Sequence, residues 1–467
     1  MRRPIALAAL IVLVLATSIH AQTSAPVVAP PATTLLQRDQ SFGGLIAFTF
    51  LAFAIGRLRG ARTVPWRVIL WGLALQFVFG AIVLFVPRLL EGVQYGVQAL
   101  LNFTREGAKM VFGDLASAGG ASVTSDGGLP IGYARSVGYF AFFVLPTIIF
   151  FSALTAVLYH VGVMQLIVQG LAWVMARTTG TSGAETLSTA SNIFVGQTEA
   201  PLMIRPFVAG ATRSELMVIM VGGFANIASG VLGLYTDWLS PFIANAGGHL
   251  AAACFISAPA TLVVGKLLMP ETEVAQTSGG VQFKVEKLDA NLVDAAARGT
   301  SEGLTLALNV SAMLISFTAL VALVNALIAW LCGKFGFTVM GGQQPTLQNM
   351  LGYVMAPLAW LTGISWRDAQ PVGALLGVKT VLNELIAYAQ MKDRFAADSN
   401  FISPRSALIA LYALCGFANF ASVGIQVGGI STLAPSRRHD LSRIGLLAMV
   451  GGAIASFMGA CVVGVLM

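Results

Sequence analysis

The segment VILWGLALQFVFGAIVLFV, residues 68 to 86, runs without a single charged side chain. Crossing the hydrocarbon interior of a bilayer as a helix takes about 20 such residues. A segment placed there has to satisfy its own backbone hydrogen bonds, which restricts it to a helix or a closed barrel. Comparable apolar runs fall at 41 to 56, 137 to 158, 215 to 235, 248 to 269, 304 to 332, 404 to 431 and 443 to 466, so eight spans are expected. Hydrophobic residues make up 56% of the chain and charged residues 10%, and the mean hydropathy is +0.80. Those values override the multidomain soluble reading that 467 residues would otherwise invite.

The net charge of +7 is spread over short arginine clusters between apolar runs, with no basic and aromatic interleaving, so nucleic acid is not an expected partner. Arg57, Arg59, Arg62 and Arg67 follow the first span, and Arg437, Arg438 and Arg443 precede the last. The positive-inside rule puts both clusters in the cytoplasm. With eight crossings, both mature termini are then expected outside, on the periplasmic face of a bacterial inner membrane. Cys254, Cys332, Cys415 and Cys461 sit within apolar segments without CxxC spacing and read as packing residues. The start, MRRPIALAALIVLVLATSIHAQ, reads as a secretory signal over residues 1 to 21, followed by a flexible periplasmic linker over 22 to 40.

Other segments fit no simple span. Residues 88 to 115 are charged too often and read as an amphipathic interfacial helix, followed by the Gly/Ser-rich loop ASAGGASVTSDGG. Residues 181 to 209 and 371 to 392 are apolar but broken by Gly and Pro, and each carries a glutamate near its middle. Both read as re-entrant hairpins, because non-helical backbone at membrane depth survives only where protein or a wet cavity satisfies it. The expected fold class is therefore an all-α polytopic membrane protein with about eight transmembrane helices, two re-entrant hairpins and interfacial helices.

The chain also repeats itself. FSALTAVL at 151 to 158 resembles FTALVALV at 317 to 324, and LAW at 171 returns at 358. Glu199 answers Glu384, and GFANIAS at 223 to 229 answers GFANFAS at 416 to 422. An odd number of crossings separates the copies, so the second is expected upside down relative to the first. Inverted repeats with interrupted segments in matching positions point to a secondary transporter with its site near the bilayer midplane. The expected division is a scaffold and interfacial region at 41 to 136, a first repeat at 137 to 269, a cytoplasmic connection at 270 to 303, and a second repeat at 304 to 467.

Buried carboxylates in a membrane cost about 2.5–3.5 kcal/mol each and face a cavity or a partner. Glu199, beside Gln197 and Thr198, and Glu384, beside Asn383, are in that position, with Arg205 and Lys379 as the available cations. Together with the two GFAN asparagines and Ser422, these residues supply amides, hydroxyls and acceptors but little positive charge. Such a set suits a neutral polyhydroxylated heteroaromatic solute and not a phosphorylated one. No histidine accompanies Ser422 and no metal motif is present, which argues against an enzyme.

NIFVGQTEAPL (192 to 202), VLNELIAY (381 to 388) and ALCGFANFASVGIQVGGI (413 to 430) are where the chain resembles the concentrative nucleoside transporter family, a likeness that extends over about residues 41 to 467. The resemblance implies a homotrimer of protomers, each with a scaffold and a mobile transport region built from the hairpins and their partner spans. It implies nucleobase contacts from Gln197, Thr198, Glu199 and Val231, ribose contacts from Glu384, Asn419 and Ser422, and an apolar wall at Phe417. It also implies a sodium ion held by Asn192, Val195, Asn226 and Ile227, with no other cofactor. Position 226 departs from the pattern, being Asn where sodium-coupled relatives carry a small hydroxyl residue, although an amide carbonyl can still ligate a hard cation. Proton coupling through Glu199 or Glu384, and carriage of free nucleobases or other polar solutes, stay open as alternatives.

Overall fold

The computed structural model of the chain describes residues 33–116, 121–124, 130–134, 140–278, 289–335 and 345–467. The leader and most of the linker therefore lie outside the described residues. The first apolar runs form α1 (Leu35–Leu58) and α2 (Trp66–Phe85). The amphipathic stretch becomes α3 (Pro87–Phe112), where proline occupies a first-turn position that needs no amide hydrogen. Within the segment read as a Gly/Ser-rich loop and just beyond it, β1 (Ala121–Thr124) and β2 (Pro130–Ala134) pair antiparallel, Ala121 opposite Ala134 and Ser122 opposite Tyr133. Every other described element is helical.

From here the chain runs through the same series of elements twice. The first pass is α4 (Phe140–Val161), α5 (Val163–Thr179), a hairpin, a broken span and α10 (Ala246–Leu268). Its hairpin descends on α6 (Gly183–Ser191) and returns through a 3-10 stretch, Ala200–Ile204, into the single turn α7 (Arg205–Val208). Its broken span is α8 (Arg213–Ala225) followed by α9 (Ser229–Leu239). The second pass is α11 (Leu292–Phe335), α12 (Leu347–Leu361), the hairpin α13 (Trp366–Val381) and α14 (Glu384–Ala397), the broken span α15 (Pro404–Leu414) and α16 (Phe420–Leu433), and α17 (Arg438–Leu466).

Three boundaries differ from the sequence expectation, the first being that α1 begins at Leu35, inside the linker expected over 22 to 40. Both arms of the second hairpin are regular helices that reach beyond 371 to 392, and α13 continues through Pro371. The long α11 takes up the last third of the connection expected over 270 to 303; at about 1.5 Å per residue it is far longer than a bilayer is thick.

Six described helices, against the eight spans expected, are long and apolar enough to cross a membrane. The run at 304 to 332 keeps only a shorter apolar stretch, Thr318–Lys334, within α11, and the run at 404 to 431 is broken into α15 and α16. The six divide by burial. In α1, α2 and α4 only 33%, 33% and 28% of the apolar window is buried. The broken span Arg213–Leu239, α10 and the α17 region reach 83%, 89% and 78%. The last three form the interior against which the hairpins lie. On the outside, α11 packs along α4 through small residues. A side chain on Gly299 or Gly303 would press on the backbone of Ala153 or Ile149 at 2.8 Å, so backbones meet closely without a polar seam. The other face of α11 exposes Ile315 (73%), Leu323 and Trp330.

At one end of the first repeat, the start of the hairpin and the start of the broken span are joined. Ser182 caps α6 with Glu185 three residues on, and Thr212 caps α8 with Glu215 three residues on; each is a reciprocal capping box. Ser182 Oγ then donates to Glu215 Oε1 at 2.6 Å, crossing from one box to the other. Lys266 of α10 completes the knot, forming ion pairs with Glu185 and Glu271 and donating to Ser214 Oγ at 2.8 Å. A buried charge is tolerable only with such full pairing.

Candidate functional site

Both broken spans interrupt at the GFAN phrase. In the first, Asn226 turns extended (φ −118°, ψ 162°) and the helix restarts at Ser229. In the second, the chain leaves the helix at Cys415 and Gly416 adopts φ +131°. Asn419 then caps α16 by accepting the Ser422 amide at 2.9 Å. The breaks lie back to back. A Cβ on Gly416 would come within 2.7 Å of the Phe224 carbonyl oxygen and 2.9 Å of that of Ala225, and glycine alone tolerates both this approach and this φ. Each break frees backbone carbonyls that need donors. Ser456 of α17 supplies one, its hydroxyl 2.8 Å from the Cys415 oxygen and 3.4 Å from that of Ala225.

Around the second break the predicted polar residues join. Asn383 caps α14, so Glu384 opens that helix, where its N-terminal dipole favours a carboxylate. Glu384 accepts from Tyr235 Oη at 3.0 Å through one oxygen and from Asn419 Nδ2 at 3.3 Å through the other. From the first hairpin's tip, Gln197 Nε2 reaches Ser422 Oγ at 3.3 Å, while Gln197 Oε1 accepts from Gln426 Nε2 at 3.1 Å. Glu384, Asn419, Ser422, Gln197 and Gln426 are all buried. Val231 lies buried on α9 one turn before Tyr235, and Phe417 is half-buried against the core. Lys379 does not neutralise Glu384. Its ammonium donates to the Ala413 carbonyl at 3.0 Å, and the two residues form no ion pair.

Two predicted residues stand apart from this set. Thr198 turns its methyl group to Gly429 of α16, close enough that a Cβ there would lie 2.8 Å from it. Glu199 is exposed, its carboxylate folded back over Gly196, and Arg205 does not pair with it.

The residues expected to hold a cation gather at the first break. Asn226 is anchored on both sides, its Nδ2 donating to the Gly222 carbonyl at 3.4 Å and its Oδ1 accepting from Ser257 Oγ. The Ile227 carbonyl has the Cys254 thiol at 4.0 Å as a side-chain donor. Asn192 gives its Nδ2 to the Ser188 carbonyl at 3.2 Å, and its buried Oδ1 has no partner. Val195 is buried beside them. A buried oxygen without a donor and a weakly engaged carbonyl are what a hard cation takes as ligands, so these residues fit a sodium ion.

Tyr235, Gln426, Ser257 and Ser456 were not among the sequence candidates. Two had a readable signal: Gln426 follows Ser422 by four residues and Tyr235 follows Val231 by four, which places each on the same helix face as a named residue. The two serines act on breaks contributed by other helices, and no spacing marks them.

Three family models match consecutive parts of the chain: "Na+ dependent nucleoside transporter N-terminus" over residues 43–115, "Nucleoside recognition" over 141–242, and "Na+ dependent nucleoside transporter C-terminus" over 249–464. The chain is 40% identical to "Sodium/nucleoside cotransporter 1" of Rattus norvegicus over 443 residues. That match covers 91% of this chain but only 63% of the rat protein. It is also 40% identical to "Uncharacterized transporter YutK" of Bacillus subtilis (strain 168), covering 90% of this chain and 97% of the relative. Among solved structures, CNTnw in an inward-facing substrate-bound state superposes with a TM-score of 0.81 at 36% identity, over 92% of this chain and 97% of that one.

Proposed function

The chain belongs to the concentrative nucleoside transporter family, and from that premise we propose that it imports nucleosides across a bacterial inner membrane in symport with sodium. The observation that carries this reading is the buried hydrogen-bonded set of Gln197, Ser422, Asn419 and Glu384, contributed by both hairpins and the second break, with no basic side chain bonded into it. Carboxylate and amide groups of this kind complement the vicinal hydroxyls of a ribose and the edge of a base.

In this reading Glu384, Asn419 and Ser422 hold the ribose. Gln197 and Val231 face the base, Thr198 and Glu199 reach it only when the hairpin tip rearranges from the arrangement described above, and Phe417 walls the site. Sodium bound by Asn192, Val195, Asn226 and Ile227 fastens the first hairpin's tip to the first break. That favours the nucleoside-competent arrangement, since a ligand shifts an equilibrium only through its differential affinity for the two states. The two repeats, 137 to 269 and 304 to 467, supply a mobile region that crosses against a scaffold, and both mature termini are periplasmic. The apolar outer face of α11 suits contact with further copies in a homotrimer.

The test is uridine uptake into proteoliposomes at fixed pH, with and without an inward sodium gradient. Uptake should depend on sodium, and an equal rate without sodium eliminates sodium coupling in favour of protons. Competition by ribose alone or uracil alone should be weak, because the site takes both halves of the ligand.

A further inference from the structure

We propose that Thr189 donates its hydroxyl oxygen to the coupling cation, a role that rests on the sodium-symport reading above. Thr186, Ser188, Thr189 and Ser191 crowd the short helix α6, all of them buried. A hydroxyl inside a helix ordinarily bonds back to its own preceding turn. Thr186 Oγ1 does so with the Ser182 carbonyl at 2.9 Å, and Ser191 Oγ with that of Leu187 at 2.7 Å. Ser188 Oγ and Thr189 Oγ1, both fully buried, have no partner, and of the two it is Thr189 that borders the broken span at Gly222.

Three residues on, and on the same face of the helix, is the equally unpartnered Asn192 Oδ1. Both side chains border Gly222 of α8: a Cβ placed there would lie 3.2 Å from the Asn192 amide nitrogen, 3.4 Å from the Thr261 methyl group and 3.8 Å from Thr189 Oγ1. The Gly222 carbonyl in turn receives Asn226 Nδ2. Thr189 and Asn192 therefore border Gly222 where the hairpin packs on the broken span, and Asn226 bonds to the carbonyl of that same residue. Neighbouring buried oxygens that lack donors are costly to leave unsatisfied. A hard cation coordinates several such oxygens at once and needs no proton from them. Ser257 already engages the Asn226 side-chain oxygen at the break, whereas the Thr189 oxygen on the hairpin is unengaged.

The experiment compares purified full-length wild type with Thr189→Val, which keeps shape and removes the hydroxyl, and Thr189→Ser, which keeps the hydroxyl. Uridine binding is titrated against sodium, and the sodium-dependent rise in thermal midpoint is measured separately, since a cation that binds the native state stabilises it by mass action. In Thr189→Val the half-saturating sodium concentration should rise about tenfold in both assays. Thr189→Ser should stay near wild type, and uridine affinity at saturating sodium should be unchanged. If Thr189→Val does not fold, Thr189→Ala carries the same comparison. Wild-type sodium dependence that survives unchanged in these variants overturns the assignment of Thr189 alone. Absence of sodium dependence in the wild type overturns the symport reading and this assignment together.

Discussion

The two GFAN breaks share four letters and do different work. At the first, Asn226 is held by Ser257 and Gly222, and the hairpin helix packed beside it carries unpartnered oxygens on Thr189 and Asn192. At the second, Asn419 caps the restarting helix and also holds Glu384, so its amide is spent on the polar set. The glycines diverge as well. Gly223 leaves room for side chains, because a Cβ there would meet the Gln426 amide at 2.5 Å and Gln197 Cβ at 3.0 Å. Gly416 leaves room for the backbone of the first break and takes a φ that other residues avoid. The repeat sets out two matching interruptions, and packing against different neighbours gives them different polar surroundings, which the proposed function assigns to cation and solute.

The largest expected effect lies on the solute side. Glu384→Gln removes a charged acceptor from two hydrogen bonds, each worth about 1.5–3 kcal/mol. Uridine uptake, read as kcat/KM, should fall about tenfold to a hundredfold with folded protein and sodium binding retained. Normal transport by this variant removes the ribose assignment. Next come the glycines. Gly416→Ala strains the backbone by about 1–3 kcal/mol before any overlap with the Phe224 and Ala225 carbonyls, so its thermal midpoint should drop furthest. Gly223→Ala presses on a side-chain amide that can swing away, and should lower uridine affinity more than stability. The opposite ranking of midpoints would erase the distinction between the two glycines.

Smaller is Ser456→Ala, which leaves the buried Cys415 carbonyl without this donor at a cost of about 1–3 kcal/mol. It should lower the midpoint without changing which nucleosides compete. Smallest is Gln426→Leu, which frees the Gln197 amide to rotate. A shift of about threefold in uridine against cytidine competition is expected, and a uniform change for both would assign Gln426 to packing only.

The all-α membrane fold was legible because it follows from local composition, uncharged runs marking apolar helices and Gly and Pro marking interruptions; the count of spans was not, because the run at 404 to 431 breaks at Gly416. The set of Gln197, Glu384, Asn419 and Ser422 was legible because polar residues in such surroundings demand a reason. Less legible was where each one points. Thr198 and Glu199 adjoin Gln197 in sequence, yet at a turn three successive side chains diverge, and only Gln197 joins the buried set. The contact of Gly416 with the first break joins positions about 190 residues apart, and such a distance leaves no periodic trace. The capping boxes at Ser182 and Thr212 were readable as helix starts, but that they share a proton donor was not.

That shared donor has a mechanical consequence. With Ser182 bonded to Glu215, and Lys266 anchored to Glu185, the hairpin and the broken span are riveted together at the end remote from Thr189 and Gly222. The two elements are thus clamped at one end like the arms of tweezers, and under the proposed sodium coupling a cation would be gripped near the unclamped end.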